Sequence, residues 1–478
     1  MRRSTFPLLA LAATLFIGCT MIPKYERPEA PVPQSWPGGP AYPKESAAQT
    51  APPAAEIQWQ TFFTDENLQT IIGMALQNNR DLRVAALNVE RARALYRIQR
   101  AELLPTVVAS ASGSRELVPA EISDTGSERT VEQYRADLGI SAWEIDFFGR
   151  IRSLEKNALE QYFATEQARR SAQILLVSEV ASAYLTLAAD RENLQLSEST
   201  LEAQQASYDL IRRRHEVGIT SELDVRQAET RVDAARVDVH RYTQLIAQDE
   251  NALNLLVGLA VPADLSPRVL SSIQPLPDVA PGTSSDVLLR RPDILQAENL
   301  LKAANANIGA ARAALFPRIS LTTGAGTISG DLAGLFSSGT LSWNYAARVV
   351  MPIFDPRIWS ALKVTKVDRE IAIAQYEGAI QTAFREVADA LAGRGTLGRQ
   401  MEAQQALVNA NAEAYKLSNA RYEKGIDIYL NVLDAQRSLY SAQQGLISIR
   451  LAKLANQVRL YAVLGGGAGP EAPLEAKN

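Results

Sequence analysis

The sequence predicts a mainly α-helical protein that is internally duplicated and that has four β-strands, two in each half. Three observations support this fold class. Long stretches without proline carry apolar residues three and four positions apart, which is the spacing of an amphipathic helix. Four short segments instead alternate apolar and polar residues, which is typical of a strand with one apolar face. The whole series of helices, strands and prolines then occurs a second time.

The N-terminus has the pattern of an export signal. Arg2 and Arg3 precede an apolar run from Phe6 to Ile17, which is too short to span a membrane and is followed by glycine. Cys19 comes next and is the single cysteine of the chain, so no internal disulfide can form. We therefore expect residues 1–18 to be a signal peptide. The alternative for a lone cysteine is a buried, unreactive thiol.

The next segment, 19–60, is rich in proline and is expected to run extended. The first strand-and-helix repeat follows at 61–260. Its expected elements are, in order, a helix with N-cap Thr64 that ends before Pro105, strands at 106–114 and 134–143, a helix of about 65 residues that ends at Gly218, and a helix from Glu222 to Val257. At 1.5 Å per residue the long helix measures roughly 100 Å.

A proline-rich connector at 261–285 leads to the second repeat at 286–465, and residues 466–478 form a tail. The second repeat has a helix from about Asp286 to Phe316, alternating strands at 318–325 and 341–349, a long helix from Pro356 to Gly425 and a last helix that reaches Leu464. An offset of 212 aligns the prolines Pro105 and Pro317, and an offset of 207 aligns the glycines Gly218 and Gly425. The order of these turn residues indicates a duplication rather than chance similarity.

The strands are about ten residues long and alternate in polarity, which fits transmembrane strands with an apolar face towards lipid. A half-buried hairpin of a soluble domain is the alternative. Four strands cannot close a barrel, and open strand edges are not tolerated in lipid. The chain would therefore have to oligomerise, and three copies would supply twelve strands.

Composition argues against several other functions. The formal net charge is −4 and there is no basic block, which gives no indication of nucleic-acid binding. We find no catalytic constellation and no phosphate-binding glycine loop followed by lysine. His215 and His240 lie 25 residues apart, and no cysteine is free to join them as a metal ligand. We expect no enzyme activity, no metal and no cofactor.

The chain resembles the outer-membrane factors of the TolC family, and most closely their OprM-like branch of multidrug efflux channels. The resemblance spans nearly the whole mature chain and is carried by the segments 78–85, 290–294, 303–313, 376–389 and 433–437. It implies a homotrimer with a shared twelve-stranded β-barrel in the outer membrane and a periplasmic α-barrel of long coiled helices. It further implies docking to a periplasmic adaptor protein and, through it, to an inner-membrane transporter.

The position of Cys19 after glycine resembles the lipobox of bacterial lipoproteins, although Phe16 stands where leucine is usual. This resemblance implies cleavage before Cys19 and a covalent lipid on its thiol and new α-amine. Thr20 follows, and the absence of aspartate there favours the outer membrane. A lipid-anchored periplasmic coiled-coil scaffold without a channel is the alternative function.

By resemblance to the family, the periplasmic end is closed by a gate formed by Asp434, Leu430, Tyr422 and, in the first repeat, Asp224. Helix capping is an equally good explanation for Asp224 and a better one for Asp427. Gly218 and Gly425 should mark the periplasmic tips of the α-barrel. The residues expected to contact the adaptor are Val217, Gly218, Ile219, Lys424, Gly425 and Ile426.

Overall fold

The computed structural model describes residues 20–42, 54–282 and 284–467. The expected signal peptide, Cys19 and most of the expected C-terminal tail lie outside these residues. The helices longer than eight residues are α1 (Glu66–Asn78), α2 (Arg80–Ala101), α3 (Arg150–Glu216), α4 (Glu222–Val257), α5 (Pro292–Ala313), α6 (Pro356–Glu423) and α7 (Tyr429–Val463). The strands are β1 (Val107–Val118), β2 (Arg129–Glu144), β3 (Arg318–Ser329) and β4 (Leu341–Val350).

The order of these elements repeats, since two strands and then a long and a shorter helix follow both α2 and α5. The described chain forms two compact units. Unit 1 comprises residues 20–29, 88–165 and 296–376, and unit 2 comprises 30–42, 54–87, 166–282, 284–295 and 377–467. Both repeats contribute to each unit. The predicted duplication is therefore confirmed, although the compact units do not coincide with the repeats.

Unit 1 contains a single four-stranded sheet in the order β1-β2-β3-β4, with every neighbouring pair antiparallel. The two strands from the first repeat pair with the two from the second, because β2 pairs with β3 from Tyr134 opposite Ser329 to Glu144 opposite Ser320. A bulge interrupts that pairing between Ile140 and Trp143, and Ala142 within it has a φ of 49°. Strands β1 and β4 are the two edges of the sheet.

Unit 2 is built from helix packing. Four of the five apolar residues expected on one face of α1 (Leu68, Ile71, Ile72 and Ala75) are buried, and the fifth, Leu76, is half-buried. The expected seam of α3 is also buried, at Ile174, Val177, Ala181, Tyr184 and Ala188. The ring of Tyr461 near the end of α7 stacks on that of Phe62 with centroids 4.1 Å apart, and its hydroxyl donates a hydrogen bond to the carbonyl of Ile57 (2.7 Å). Apolar burial on helix faces thus forms the core of this unit.

The first predicted helix differs from the observed one in two respects. Its N-cap is Asp65 rather than Thr64, because the Asp65 carboxylate accepts a hydrogen bond from the amide of Leu68 (2.9 Å). The predicted continuous helix is also interrupted at Asn79, whose φ of −60° and ψ of 130° are extended. The Asn79 side-chain oxygen accepts from the amide of Leu82 (2.8 Å) and caps the next helix, α2.

In both repeats, the residue that precedes a helix (α2 or α5) donates a side-chain hydrogen bond to a carbonyl at the end of the last helix of the repeat. The Asn79 side-chain nitrogen donates to the carbonyl of Leu256 near the end of α4 (2.8 Å). In the second repeat Arg291, at the equivalent position, donates to the carbonyl of Val463 at the end of α7 (2.7 Å). Leu256 and Val463 are themselves equivalent at the offset of 207. The same contact is therefore made by an amide in one repeat and by a guanidinium in the other.

Candidate functional site: the turns at the helix tips

The turn after α3 and the turn after α6 have the same backbone structure. In the first, Gly218 has a φ of 77°, its amide donates to the carbonyl of His215 (2.8 Å), and the amide of Ile219 donates to the carbonyl of Arg214 (2.8 Å). In the second, Gly425 has a φ of 73°, and the corresponding bonds from Gly425 and Ile426 are both 2.9 Å. Each turn is a Schellman motif, which closes a helix through a left-handed residue.

Both turns expose large apolar side chains. Among the residues predicted to contact the adaptor, Val217 is 70% exposed, Ile219 71% and Ile426 59%, and Lys424 is also exposed. Two further exposed residues were not predicted, namely Leu223 at 65% and Ile428 at 64%. Leu223 is the second residue of α4 and Ile428 directly precedes α7, so the sequence pattern there indicates a helix start and does not single out the apolar side chain. Together these side chains make the two turns an apolar surface in the described chain.

A buried cluster supports both turns from within unit 2. Its members are Ile211, Val225, Ala228, Tyr429, Val432 and Leu433, with Tyr208, Tyr415 and Tyr422 packed against it. The cluster joins all four helices that meet these turns, α3, α4, α6 and α7. Tyr415 and Tyr422 are seven residues apart on α6, and this heptad spacing is a signal by which the sequence could have revealed that part of the cluster.

Tyr422, a predicted gate residue, belongs to this packing. Its ring lies 5.2 Å from that of Tyr429, and the guanidinium of Arg214 lies 5.4 Å from the ring centre, within the range of a cation–π contact. The Tyr422 hydroxyl is buried and has no hydrogen-bond partner in the described chain. Burial, together with the neighbouring Tyr422 and Tyr415, raises the pKa of Tyr429 to about 12. Tyr422 therefore links the end of α6 to α3 and α7.

Asp434 and Leu430 lie on the exposed face of α7. The helix buries Val432, Leu433 and Gln436, whereas Leu430 is 43% exposed and the Asp434 side chain 56% exposed. The Asp434 carboxylate forms an ion pair with Arg437 at 3.2 Å, one helical turn further on. Because residues four apart share a helix face, Leu430 and Asp434 point the same way, as the predicted gate requires.

Asp224, the gate residue predicted in the first repeat, forms a capping box. Its amide donates a hydrogen bond to the Ser221 hydroxyl (3.2 Å), while its carboxylate accepts from the amide (3.2 Å) and the hydroxyl (2.8 Å) of Ser221. The capping box accounts for the carboxylate of Asp224, which is the third residue of α4 and stabilises the start of that helix.

Asp427 does not form the N-cap that its sequence context suggested. Ile428 is the N-cap of α7 and makes no side-chain cap bond. The Asp427 carboxylate instead accepts a hydrogen bond from the Nε of Arg421 (2.5 Å), and that bond holds the pKa of Asp427 below its ordinary value. The ion pair closes the turn after α6 across six residues. Two aspartates at helix starts, Asp224 and Asp427, thus serve different purposes.

In the described part of the chain, no group of three or more histidine, cysteine, aspartate or glutamate side chains is arranged to hold a metal ion. The arrangement around the turns offers instead an apolar surface, a packed aromatic cluster and exposed carboxylates. These features suit a surface that binds another molecule.

Comparison with known proteins shows the family of the chain. The family model described as "Outer membrane efflux protein" matches residues 71–259 and 283–466. The chain is 52% identical to the antibiotic efflux pump outer membrane protein ArpC of Pseudomonas putida, over 97% of this chain and 96% of that protein. It is equally similar, over the same shares, to a toluene efflux pump outer membrane protein, TtgC, also of Pseudomonas putida.

Among solved structures, the fold is similar to the open state of the Neisseria gonorrhoeae MtrE outer membrane channel. The TM-score is 0.85 at 37% identity, covering 94% of this chain and 99% of that one. Fold and likeness together define an outer-membrane channel protein of a bacterial efflux pump, and not an enzyme. The chain belongs to the outer membrane efflux protein family. The resemblance inferred from the sequence is thereby confirmed.

Proposed function

We propose that three copies of this chain form a closed twelve-stranded barrel that passively conducts small amphiphilic compounds out of the cell. The observation that carries this proposal is the four-stranded sheet with two free edges, β1 and β4. Backbone groups at a free edge have no partner in lipid, and each unsatisfied group costs several kcal/mol there. Closing the barrel with further copies of the chain satisfies both edges at once.

The helices that adjoin the sheet support the same assembly. Helix α2 buries none of its residues in the single chain, and Leu95 and Ile98 are exposed on it. The first turns of α6 expose Trp359, Val364 and Ile371. Apolar helix faces of this length are normally covered by a partner, and adjacent copies would cover them.

The oligomer is tested by measuring the mass of the detergent-extracted protein with light scattering. We expect three times the mass of the mature chain, which is the 52.1 kDa chain without its signal peptide. A second test introduces one cysteine on β1 and one on β4 and asks whether oxidation links separate chains. A monomeric mass with intrachain links only would refute the trimer and favour the lipid-anchored scaffold.

We infer that Asp434 and Leu430 line the periplasmic gate, that Tyr422 links the helices around it, and that Asp224 contributes by fixing the start of α4. Three carboxylates facing one axis would favour cations and oppose anions, as acidic rings in pores do. The exposed position of Asp434 and Leu430 on one face of α7 supports this role. At the offset of 207, Gln227 is the counterpart of Asp434, so the first repeat would not add a second acid to the ring.

The gate is tested by single-channel conductance in planar bilayers. We expect Asp434→Asn to raise conductance and to reduce the preference for cations. Asp233→Asn is a matched control, because Asp233 is 62% exposed and pairs with Arg236 three residues on, as Asp434 does with Arg437. Equal conductance of the wild type and Asp434→Asn would remove Asp434 from the gate.

The exposed apolar surface of the two turns is the proposed docking site for a periplasmic adaptor, which would connect the channel to an inner-membrane transporter. The contact residues would be Val217, Gly218, Ile219, Lys424, Gly425 and Ile426, joined by Leu223 and Ile428. We expect Ile219→Asp with Ile426→Asp to abolish efflux in cells while leaving the trimer in the outer membrane. Normal efflux by that double variant would exclude this surface.

A covalent lipid on Cys19 is the proposed anchor, with outer-membrane lipid as its partner. We expect intact-mass spectrometry to show an acylated N-terminal cysteine, and Cys19→Ala to lose that mass. We propose that the inner-membrane partner, and not this chain, selects the exported compound. ArpC is named for antibiotics and TtgC for toluene, although both are equally similar to this chain.

A further inference from the structure

A cleft of about 250 Å³ lies in unit 1, between the end of α5, the beginning of α6 and the N-terminal residues 20–29. Three of its lining residues are apolar and five are charged. The apolar residues are Pro23, Ile308 and Val367, and the charged residues are Arg312, Lys363, Lys366, Arg369 and Glu370. Four bases and a single acid therefore meet in one cleft.

The wall that residues 20–29 contribute is fixed to α5 at two places. The carbonyl of Pro23 accepts a hydrogen bond from the side chain of Asn305 (2.8 Å). Further along, the Glu298 side chain is only 3% exposed and accepts two bonds from the guanidinium of Arg27 (3.0 and 2.7 Å). A bond between a buried carboxylate and a guanidinium is among the strong hydrogen bonds in proteins. The shape of the cleft is therefore determined by the fold before any ligand arrives.

Most of the positive charge in this cleft is uncompensated. Arg312 donates a hydrogen bond to a neutral backbone carbonyl (3.3 Å). Within the part of the chain that the structure describes, Arg312, Lys363 and Lys366 form no ion pair. Arg369 pairs with Glu370 at 3.9 Å, but that carboxylate is 68% exposed, and exposed pairs contribute little. An anion in the cleft would therefore meet several bases without displacing an existing partner.

The bases come from two different helices, which suits a group with several acceptor oxygens. Lys363 and Lys366 are three residues apart on α6 and share a face of that helix, and Arg312 is supplied by α5. A phosphate group can accept bonds from an arginine and from lysine ammonium groups at the same time, because it has more than two acceptor oxygens. The arrangement therefore favours a phosphate as the ligand.

The surroundings of the cleft favour a phosphate that belongs to a lipid. Arg312 lies six residues before β3, and α6 begins six residues after β4. The segment 351–355, which joins β4 to α6, exposes Ile353 and Phe354, each at 88%. Lys363 follows seven residues into α6, about 10 Å from the start of the helix. Apolar side chains followed by basic ones are typical of a membrane interface, where basic pockets bind lipid headgroups.

We propose that this cleft binds the phosphate headgroup of an acidic phospholipid in the periplasmic leaflet of the outer membrane, through Arg312, Lys363 and Lys366. The inference rests on the outer-membrane location of the chain, and it needs neither the gate nor a lipid on Cys19. The excess of bases selects lipids with a net negative charge over zwitterionic ones. A bound headgroup would hold α5 and α6 together just below the sheet.

The test is native mass spectrometry of the detergent-extracted full-length protein. The protein is titrated with phosphatidylglycerol or with phosphatidylcholine of the same acyl chains, and phosphatidylglycerol binding is repeated with inorganic phosphate as a competitor. We expect phosphatidylglycerol adducts at a several-fold lower lipid concentration than phosphatidylcholine adducts, and no displacement by an equal concentration of inorganic phosphate. The mass of the protein in the same spectra reports its oligomeric state, so a failure of the proposed trimer and a failure of lipid binding are distinguishable.

The site is tested with the double variant Lys363→Gln and Lys366→Gln. We expect several-fold weaker binding of phosphatidylglycerol and unchanged binding of phosphatidylcholine, because both lysines lose their charge and neither pairs with a carboxylate in the described chain. The double variant Arg385→Gln and Lys416→Gln is the matched control. It also removes two positive charges from exposed positions on α6, but outside the cleft, and should bind as the wild type does.

Several results would overturn the proposal. Equal binding of the two lipids, or equal losses in the two double variants, would show that no selective headgroup site exists in the cleft. Displacement by an equal concentration of inorganic phosphate would assign the cleft to a free anion. A smaller oligomer in Lys363→Gln with Lys366→Gln, together with wild-type lipid binding, would assign these lysines to a contact between copies of the chain.

Discussion

Replacement of Gly425 by alanine tests whether the left-handed conformation of this residue stabilises the turn after α6. Gly425 has a φ of 73°, and a Cβ added to it would meet no atom within 4 Å. The substitution therefore adds backbone strain without a steric clash. For a residue with a Cβ the left-handed conformation costs about 1–2 kcal/mol. The native turn should be destabilised by that amount, and the rest of the fold should not change.

The expected result is faster local opening of the turn. A cost of about 1–2 kcal/mol corresponds to a roughly five- to thirty-fold larger open fraction. Hydrogen exchange with mass spectrometry reports it at the amides of Gly425 and Ile426, which donate to Tyr422 and Arg421. Gly425→Asn should show a smaller effect, because asparagine tolerates the left-handed region.

Gly398→Ala is the control, because Gly398 lies inside α6, has no positive φ and also has nothing within 4 Å of an added Cβ. There alanine should stabilise the helix by up to about 1 kcal/mol and slow the exchange. Unchanged exchange at Gly425 and Ile426 in Gly425→Ala would show that the turn bears no strain from a Cβ, and the reasoning would be refuted.

Two further substitutions test the packing of unit 2. Asn79→Ala removes the cap of α2 and the donor to the Leu256 carbonyl, so we expect the free energy of unfolding, measured with denaturant, to fall by about 2 kcal/mol. Asn78→Ala is the control and should lower it clearly less, because it loses only a bond to Met74 within its own helix. Equal losses in the two variants would contradict this account. Burial, and then the charge of Asp190, raise the pKa of Asp249 to about 6. Between about pH 4, the ordinary pKa of an aspartate, and pH 6, the Asp249 carboxyl is therefore protonated in the folded state and ionised in the unfolded state. The free energy of unfolding should fall as pH rises through this range. Asp249→Asn should flatten this part of the thermal-stability profile, and parallel profiles would refute the assignment.

Much of the fold could be predicted because its elements end at residues with strong local preferences. Ser221 and Gly258 bracket α4, whose observed bounds Glu222–Val257 are those expected from the sequence. Pro317 directly precedes β3 and Gly149 directly precedes α3, so these residues indicate where a strand and a long helix begin. Alternating polarity located all four strands, although three of them extend further than the alternation: β1 to Val118, β2 from Arg129 and β3 to Ser329.

The differences arise where a distant contact decides the local structure. Asn79 interrupts the first helix because its side chain bonds to Leu256, 177 residues away, and no pattern around Asn79 indicates that partner. Asp427 was expected to cap α7 but pairs with Arg421 instead. Residues 20–29 belong to the segment predicted to be extended, but their position along α5 depends on Glu298, 271 residues from Arg27. Such contacts follow from tertiary packing rather than from local propensity.

The free edges of β1 and β4 also have a consequence for biogenesis. A single chain that reached the membrane alone would carry two unpaired rows of peptide groups into hydrocarbon, or would leave them in the periplasm as templates for aggregation. In the proposed trimer, insertion of one chain at a time would therefore be strongly unfavourable. We expect the chains to associate before or during their entry into the bilayer, so the rate of channel production should depend steeply on the local concentration of newly exported protein.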